Sequence, residues 1–358
     1  MPGYITCQQR HAFAAVGRRR VMDFLAPDRF FRRHVRDLPP VPAYFFHQPD
    51  PSAFERLCRL IQRQRLNSVT FSQLLDAASA LDRSILLSFD DGWSSTWSIA
   101  FPLARRYGIR FTLFVSPQLL DASEACRSTI EDEPDVEVLI RRDRSARCLL
   151  TWGELRAMHA SGLVDVQSHS LHHGVVFASS ELCGTAGPNG PFPLDGFVPL
   201  VDREEGADRV VRQLRPGRPV YPWAPALAAP RRFIDDPGLP GKGQWEGNEE
   251  RRARVCEDLL RSRQLIEEEV PGTRVHVLAL PWAVMHPDVP SLAAETGYRL
   301  LVLGYPFEAP TVPLPIPVYP RLFGEGAWIR AQGLPVGAIA WWRDRRRNLA
   351  RRATGAIP

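Results

Sequence analysis

The chain has 358 residues, of which 44% are hydrophobic and 24% are charged, and its formal net charge is +5. This composition is ordinary for a soluble globular protein and excludes a chain that is disordered throughout. Nucleic-acid binding would require the basic residues on one face with interleaved aromatic residues, whereas here they are scattered except at the two ends. We therefore expect no nucleic-acid binding.

The two ends of the chain are more basic than the rest. Residues 1–40 mix arginine clusters with large apolar side chains. They predict a basic N-terminal arm, either a helix packed on the main domain or an amphipathic segment at an anionic membrane surface. Residues 336–358 predict a basic C-terminal helix and tail. Residues 41–335 remain for the main domain.

Targeting and redox signals are weak in this sequence. No stretch approaches the roughly 18 apolar residues of a membrane span, and the N-terminus lacks the order of charged and apolar parts of a signal peptide. The six cysteines lie far apart, and none form a Cys-x-x-Cys pair. We expect a cytoplasmic protein, with peripheral membrane contact through the basic ends as a further expectation.

Between the two ends, apolar segments of strand length alternate with segments of helical periodicity. Strands that are apolar throughout are typical of a parallel sheet covered on both faces, hence of a barrel or a doubly wound sheet. No glycine-rich nucleotide fingerprint follows any of these strands, which weakens the dinucleotide-binding option. The predicted strands are 43–47, 85–89, 111–115, 164–167, 275–280 and 299–303. The predicted helices follow Asp50 and cover 96–107, 151–163, 247–269 and 288–296.

One long segment interrupts this alternation. Residues 174–218 are rich in glycine, proline and turn residues, and residues 219–233 continue without a clear period. A connection of this length inside a compact domain is usually a lid or a binding loop. We expect residues 174–270, an irregular insertion with the helix that follows it, to lie over the functional site.

Two clusters of polar residues follow predicted strands. The strand "ILLSF" ends in adjacent carboxylates, Asp90 and Asp91, although aspartate is depleted in strands and like charges repel. The strand at 164–167 is followed by His169 and His173, whose spacing turns both rings to one side of a helical turn. Because the carboxyl ends of parallel strands lie on one face of an α/β fold, the two clusters can meet.

Two imidazoles and one carboxylate leave coordination positions open, as a catalytic metal site requires. If one aspartate binds a cation, the cation offsets the repulsion within the pair, and the other aspartate is free to act as a base. We expect a divalent metal, zinc first, with cobalt, manganese, nickel or iron as alternatives.

The residues of these clusters resemble the polysaccharide deacetylases, the NodB-homology carbohydrate esterases. "SFDDG" (88–92) and "HSLHH" (169–173) resemble the first two signature motifs of that family, and "LALPWA" (278–283) resembles the third. The likeness spans roughly residues 41–305, interrupted by the insertion. It implies a distorted (β/α) barrel and a metal-dependent hydrolase that removes N-acetyl groups, or sometimes O-acetyl groups, from an acetylated carbohydrate or glycan precursor.

The resemblance also implies roles for individual residues. Carried over by position, Asp91, His169 and His173 would be the metal ligands, and Asp90 would be the general base. The backbone N–H of Trp282 would help to hold the oxyanion.

Two positions depart from the family pattern. The arginine that braces the catalytic aspartate in many members is Ala279 here. Arg321 either replaces it or is an ordinary surface residue, and the second is expected. No histidine follows His286, so the late histidine that often serves as general acid is missing. His286 either takes that role or is a turn residue.

Three functions compete on this sequence. The first is the deacetylase, for which Trp93 and Trp97 either form a sugar-stacking platform or belong to the core. The second is a non-catalytic glycan-binding or assembly protein on the same barrel, suggested by the two departures. The third is a non-haem iron oxygenase, which also uses two histidines and a carboxylate, although its usual scaffold is antiparallel.

Overall fold

The computed structural model describes residues 41–76, 81, 83–144, 149–187, 198–204, 207–236, 238–304 and 313–324. The predicted basic segments, 1–40 and 336–358, lie outside these residues, so the expectations of a packed arm and of membrane contact stay predictions. Within the described ranges, the helices are too short or too polar to cross a bilayer.

The first part of the chain alternates strands and helices as predicted. A π-helical turn, Thr96–Ala100, runs directly into α3, and a 3₁₀ turn, Pro117–Leu119, follows β4. The elements in chain order are β1 (Ala43–Phe46), α1 (Pro51–Arg63), β2 (Asn67–Val69), α2 (Phe71–Asp76), β3 (Ser84–Phe89), α3 (Phe101–Tyr107), β4 (Phe111–Val115), α4 (Val136–Arg144), α5 (Trp152–Ala160) and β5 (Val164–Ser168).

The insertion is not irregular, contrary to the expectation from sequence. It forms a four-stranded sheet in the order β11-β6-β8-β9 and two smaller sheets that pair β7 with β10 and β12 with β13. Segments of two to five residues are too short to show a strand period, which is why the sequence did not reveal them. These strands are β6 (Val175–Phe177), β7 (Gly184–Thr185), β8 (Leu200–Glu204), β9 (Ala207–Val211), β10 (Pro219–Val220), β11 (Trp223–Pro225), β12 (Phe233–Asp235) and β13 (Gly243–Trp245).

The last part of the chain returns to the barrel. The helix α6 (Asn248–Glu269) leads out of the insertion and packs against β5. It is followed by β14 (Val277–Ala279), a 3₁₀ turn Pro281–Ala283, α7 (Val289–Glu295), β15 (Leu300–Gly304) and β16 (Val318–Phe323). Outside the insertion, the elements that the sequence does not predict are β2, α2, α4 and β16.

Seven parallel strands close into a barrel in the order β1-β16-β15-β14-β5-β4-β3. The pairing of β3 with β1, which aligns Phe46 with Phe89, completes the ring. The short strand β2 adds to the first half of β3 alongside β4. The predicted distorted (β/α) barrel is therefore confirmed, and the carboxyl ends of all seven strands open on one rim.

Successive side chains of the barrel strands point alternately inward and outward, as the pleat requires. On β3, Leu87 and Phe89 belong to the large core between strands and helices, whereas Leu86 belongs to a smaller cluster with Phe114, Val302 and Tyr319. Ser88 and the following Asp90 continue the phase of Leu86. The sequence alternation thus directs Asp90 toward the barrel interior.

Local signals fix where the helices begin and end. Asp50 caps α1 by accepting from the Ala53 N–H at 2.8 Å, and Pro51 occupies the first turn. Thr151 and Glu154 form a capping box at the start of α5. Gly108 ends α3 in the left-handed conformation, at φ 65°. Residues within one turn of each terminus thus fix the start of α1 and α5 and the end of α3.

Candidate metal centre and active site

Three strained turns meet at the carboxyl rim of the barrel. In the described part of the chain, seven non-glycine residues have positive φ, and five of them lie in these turns. Such conformations cost of order 1–3 kcal/mol each and cluster at functional sites. The five residues are Asp91 after β3, Ser170 and His173 after β5, and Trp282 and Ala283 after β14.

The turns bring one carboxylate and two imidazoles together. The Asp91 Oδ1 atom lies 3.2 Å from His169 Nε2 and 3.4 Å from His173 Nε2. All three side chains are buried, and one ligand atom from each lies within 4.8 Å of the others. The convergence predicted from the two motifs is therefore present in the fold.

The orientation of His169 is set by its other ring nitrogen. His169 Nδ1 lies 2.8 Å from the carbonyl oxygen of Ala279, which can only accept, so Nδ1 carries the hydrogen. Nε2 faces Asp91 Oδ1 and would offer its lone pair to a cation bound between them. A backbone carbonyl that fixes the tautomer in this way is the usual support of a metal-binding histidine.

The donor set fits a divalent cation. Asp91 Oδ1 is buried and makes no hydrogen bond to any described residue. Two ligands with bonds of about 2.0–2.1 Å at tetrahedral angles lie about 3.3 Å apart, which matches the observed spacings of 3.2 and 3.4 Å. Imidazole nitrogen with carboxylate oxygen suits zinc and the later first-row metals.

The protonation states follow from burial and charge. Burial alone would raise the pKa of Asp91, but the neighbouring His47, His173 and His169 outweigh it and hold that pKa well below its ordinary range. Burial lowers the pKa of His173 to about 4. Burial opposes the charged form of His169 as well, yet Asp91 and Asp90 outweigh it and raise its pKa. Asp91 and His173 are thus in their metal-binding forms at neutral pH.

The second aspartate is held apart from this cluster. Arg321 donates to Asp90 Oδ1 and Oδ2 at 2.6 and 2.8 Å and to Ser88 Oγ at 2.9 Å. Its guanidinium lies between the rings of Phe45 and Phe114, at 4.8 and 5.0 Å from their centroids. The expectation that Arg321 is a surface residue is wrong, because the residue is only 2% exposed.

His47 is a site residue that sequence reasoning missed. It follows β1, and its Nε2 lies 3.8 Å from Asp91 Oδ2 with 34% of the side chain exposed. The available signal was its position directly after a predicted strand, the same position that singled out Asp90 and Asp91. The imidazole links the buried cluster to solvent.

A tryptophan of the insertion contacts a tryptophan at the site. The Trp282 ring lies 5.1 Å from the His173 ring, and the Trp223 ring on β11 lies 6.1 Å from Trp282. Trp282 also packs on the apolar cluster of the insertion around Phe177 and Tyr221. The insertion therefore supports the turn that carries Trp282.

His286 contacts Asp288 rather than the three proposed metal ligands. Its Nδ1 is 2.6 Å from Asp288 Oδ1, and Asp288 in turn forms an ion pair with the buried Arg251 of α6. Among the described residues, the ring contacts Asp288 and none of Asp91, His169 and His173.

The remaining candidate residues have structural partners. Trp93 Nε1 donates to Asp91 Oδ2 at 3.0 Å, and Trp97 Nε1 donates to the Arg127 carbonyl at 2.7 Å while its ring stacks on Phe101. Both indole N–H groups thus have partners within the protein, and both rings are half-buried. Ser170 Oγ accepts from the His173 N–H at 3.0 Å and so closes the histidine turn.

Comparison with known proteins agrees with this geometry. Residues 78–182, which contain Asp90, Asp91, His169 and His173, match the family model described as polysaccharide deacetylase. The predicted resemblance is thereby confirmed over that segment. A search among curated proteins gives no match.

Two solved structures share the fold. The BpsB deacetylase domain from Bordetella bronchiseptica is 23% identical, with 79% of this chain and 96% of that chain covered and a TM-score of 0.50. A de-N-acetylase from Aggregatibacter actinomycetemcomitans is 16% identical, with 82% and 98% covered and a TM-score of 0.51. At these identities the likeness concerns the fold.

Proposed function

We propose that the protein is a metal-dependent hydrolase that removes acetyl groups from a carbohydrate, with N-acetyl groups as the preferred candidates. The premise is that residues 78–182 match the polysaccharide deacetylase family. The observation that carries the proposal is the meeting of Asp91 Oδ1 with two imidazole nitrogens at 3.2 and 3.4 Å. A second carboxylate, Asp90, stands next to this cluster and is kept out of it by its own arginine partner.

Asp91 Oδ1, His169 Nε2 and His173 Nε2 would hold the cation. A divalent cation bound there would lower the pKa of a bound water to about 7 and would polarise the acetyl carbonyl. The three side chains supply two neutral donors and one negative charge, so open coordination positions remain for water and substrate.

Asp90 would act as general base and accept the proton of the attacking water. Each of its oxygens accepts one hydrogen bond from Arg321, and a carboxylate has about four acceptor sites, so lone pairs remain for the water. The two parallel hydrogen bonds fix the plane of the carboxylate. A base that is already oriented lowers the activation free energy, because the carboxylate does not have to turn toward the water.

Breaking the carbon–nitrogen bond of the acetamide requires a proton on the departing amine. We assign this proton to His47, which lies at the edge of the cluster with about one third of its side chain exposed. His286 is the second candidate, but its Nδ1 is engaged by Asp288 at 2.6 Å. The backbone N–H of Trp282 would donate to the carbonyl oxygen as negative charge develops there, a contribution of ~3 kcal/mol per donor.

Two alternatives are less well supported. A non-catalytic glycan-binding protein was suggested by the missing arginine at Ala279, but Arg321 contacts Asp90 from another strand. A non-haem iron oxygenase would use the same donor types, but the barrel strands here are parallel. Oxygen uptake with ferrous iron would reveal the oxygenase, and its absence together with acetate release would exclude it.

Acetate release across a panel of N- and O-acetylated glycans, with and without chelator, tests the proposal. Asp90→Asn should abolish acetate release while zinc binding is retained, because Asp90 lies outside the donor set. The matched control is Asp121→Asn, which changes an exposed aspartate and should leave the rate unchanged. Full activity of Asp90→Asn, or activity that survives complete metal removal, would refute the proposal.

A further inference from the structure

The two oxygens of Asp91 have different surroundings. Oδ1 faces His169 Nε2 and His173 Nε2 and has no hydrogen bond to a described residue. Oδ2 accepts from the indole N–H of Trp93 at 3.0 Å. One side of the carboxylate is thus free for a cation, and the other is committed to a donor from the protein.

We propose that Trp93 is a positioning residue that restricts Asp91 to binding the metal through Oδ1 alone. A free carboxylate can bind a cation through one oxygen or through both, and the second mode fills a position that water or substrate needs. To turn Oδ2 toward the cation, Asp91 would have to give up the indole hydrogen bond in a buried site. Losing a hydrogen bond to a charged, buried carboxylate is costly, so the indole favours the one-oxygen mode.

The backbone explains how a residue two positions away can reach back to Asp91. Asp91 and Gly92 are both left-handed, at φ 71° and 78°, so the chain reverses directly after β3. Glycine suits this position, since its φ is left-handed and a Cβ would lie only 3.0 Å from Leu120 Cδ2. The Gly92 carbonyl accepts from Leu150 N at 2.8 Å, and Trp93 bridges to Leu149. The backbone at Gly92 and Trp93 is therefore held by neighbouring residues, while the indole N–H is held by Asp91.

This inference rests on the proposed metal site but concerns a residue outside the donor set. Supporting groups around metal ligands typically change metal affinity by 10–100-fold when they are lost. A packing role alone would leave both the affinity and the coordination number unchanged.

The chain provides a matched control. Trp97 is also half-buried, and its indole N–H also donates to an oxygen, but the acceptor is the Arg127 carbonyl at 2.7 Å. Trp97→Phe therefore removes an indole hydrogen bond from the same segment without touching Asp91.

The test compares the full-length wild type with Trp93→Phe and Trp97→Phe by zinc titration calorimetry and by the visible absorption of the cobalt-loaded proteins. We expect Trp93→Phe to bind zinc 10–100-fold more weakly, and its cobalt absorption to weaken because the freed Oδ2 raises the coordination number. Trp97→Phe should match the wild type in both measurements. Site-specific replacement of Trp93 by 3-benzothienylalanine keeps the bicyclic shape and lacks the N–H, so it should also weaken zinc binding and the cobalt absorption. It keeps the test decisive if Trp93→Phe unfolds the turn.

The outcomes separate this inference from the proposed function. If the wild type binds zinc and both replacements of Trp93 match it in affinity and cobalt spectrum, the role of Trp93 is refuted and the metal site stands. If the wild type itself binds neither zinc nor cobalt, the metal site and the role of Trp93 are both refuted.

Discussion

Arg321, on the last strand of the barrel, donates from both terminal nitrogens to the carboxylate of Asp90 at the end of β3, at 2.6 and 2.8 Å. The two residues are 231 positions apart and are 2% and 3% exposed. A buried ion pair is tolerated only when its geometry is good, and removing one partner leaves an uncompensated charge. The bidentate contact meets that condition and gives Asp90 an arginine although position 279 carries alanine.

Arg321→Lys should reduce kcat for acetate release by roughly 100-fold, the scale of a catalytic group misplaced by about 1 Å. Lysine keeps the charge but cannot bond both oxygens of Asp90, so the base loses its fixed plane. Zinc affinity should stay within a few-fold of wild type, since Arg321 does not contact Asp91. Arg299→Lys, which changes a half-exposed arginine, serves as control, and equal kcat in the two variants would contradict the assignment.

Replacement of His47 by glutamine should slow hydrolysis of an N-acetyl sugar and leave hydrolysis of an activated acetyl ester nearly unchanged. An amine leaving group needs a proton, whereas a nitrophenolate does not. His286→Gln should affect neither substrate if His47 is the acid. If His286→Gln slowed hydrolysis of the N-acetyl sugar and the His47 variant did not, His286 and not His47 would be the general acid.

Zinc should stabilise the folded protein by mass action. At a free zinc concentration of 100 times the Kd, the expected gain in the free energy of unfolding is about 2.7 kcal/mol. His173→Ala should lose this gain, because it removes a donor 3.4 Å from Asp91 Oδ1. His172→Ala, one residue away and outside the donor set, should keep it. Denaturant unfolding with and without zinc measures all three proteins, and a full zinc effect in His173→Ala would exclude the proposed ligand set.

The join between the insertion and α6 depends on a buried glutamate. Glu246 is 0% exposed, bonds Arg254 at 2.7 and 2.9 Å, and lies 3.3 Å from Arg232. Glu246→Gln should lower the free energy of unfolding by about 3–5 kcal/mol, since the buried Arg254 loses its counter-charge and Arg232 keeps only its ion pair with Asp208. Glu268→Gln, at an exposed position, should change it by about 0.5 kcal/mol or less.

The same glutamate predicts an acid-sensitive stability. Burial raises the pKa of Glu246, but Arg254 and Arg232 outweigh it, so its pKa in the folded protein is lowered from the ordinary 4.5. A lowered pKa in the folded state contributes stability that is present above the unfolded-state value and is lost as the pH falls through the folded-state value. The wild type should therefore lose stability below about pH 4.5 more steeply than Glu246→Gln, and parallel curves would contradict this.

The sequence predicted the parts of the site that depend on local order. Two carboxylates directly after an apolar strand and two histidines four residues apart after another strand were enough to predict a shared metal site, because parallel strands end on one face. Asp50 and Gly108 likewise marked helix ends, since capping depends on neighbours within one turn.

The residues that were missed depend on elements that carry no local signal. Pro320 interrupts "VYPRLF", a residue atypical of a central strand, so β16 was not predicted and Arg321 was expected at the surface. From the sequence, Trp93 is either a core residue or part of a sugar platform. Its bond to Asp91 depends on two successive left-handed residues, which the order of amino acids does not reveal.

The sequence alone therefore determined which metal-binding and acid–base residues are present and at which end of the barrel they lie. The tertiary structure decided which groups touch: Arg321 reaches Asp90, His47 reaches Asp91, and Trp223 of the insertion reaches Trp282. The physical reason is that residue order and periodicity act over a few positions, whereas contacts between distant segments are fixed only when the barrel closes and the insertion packs on it.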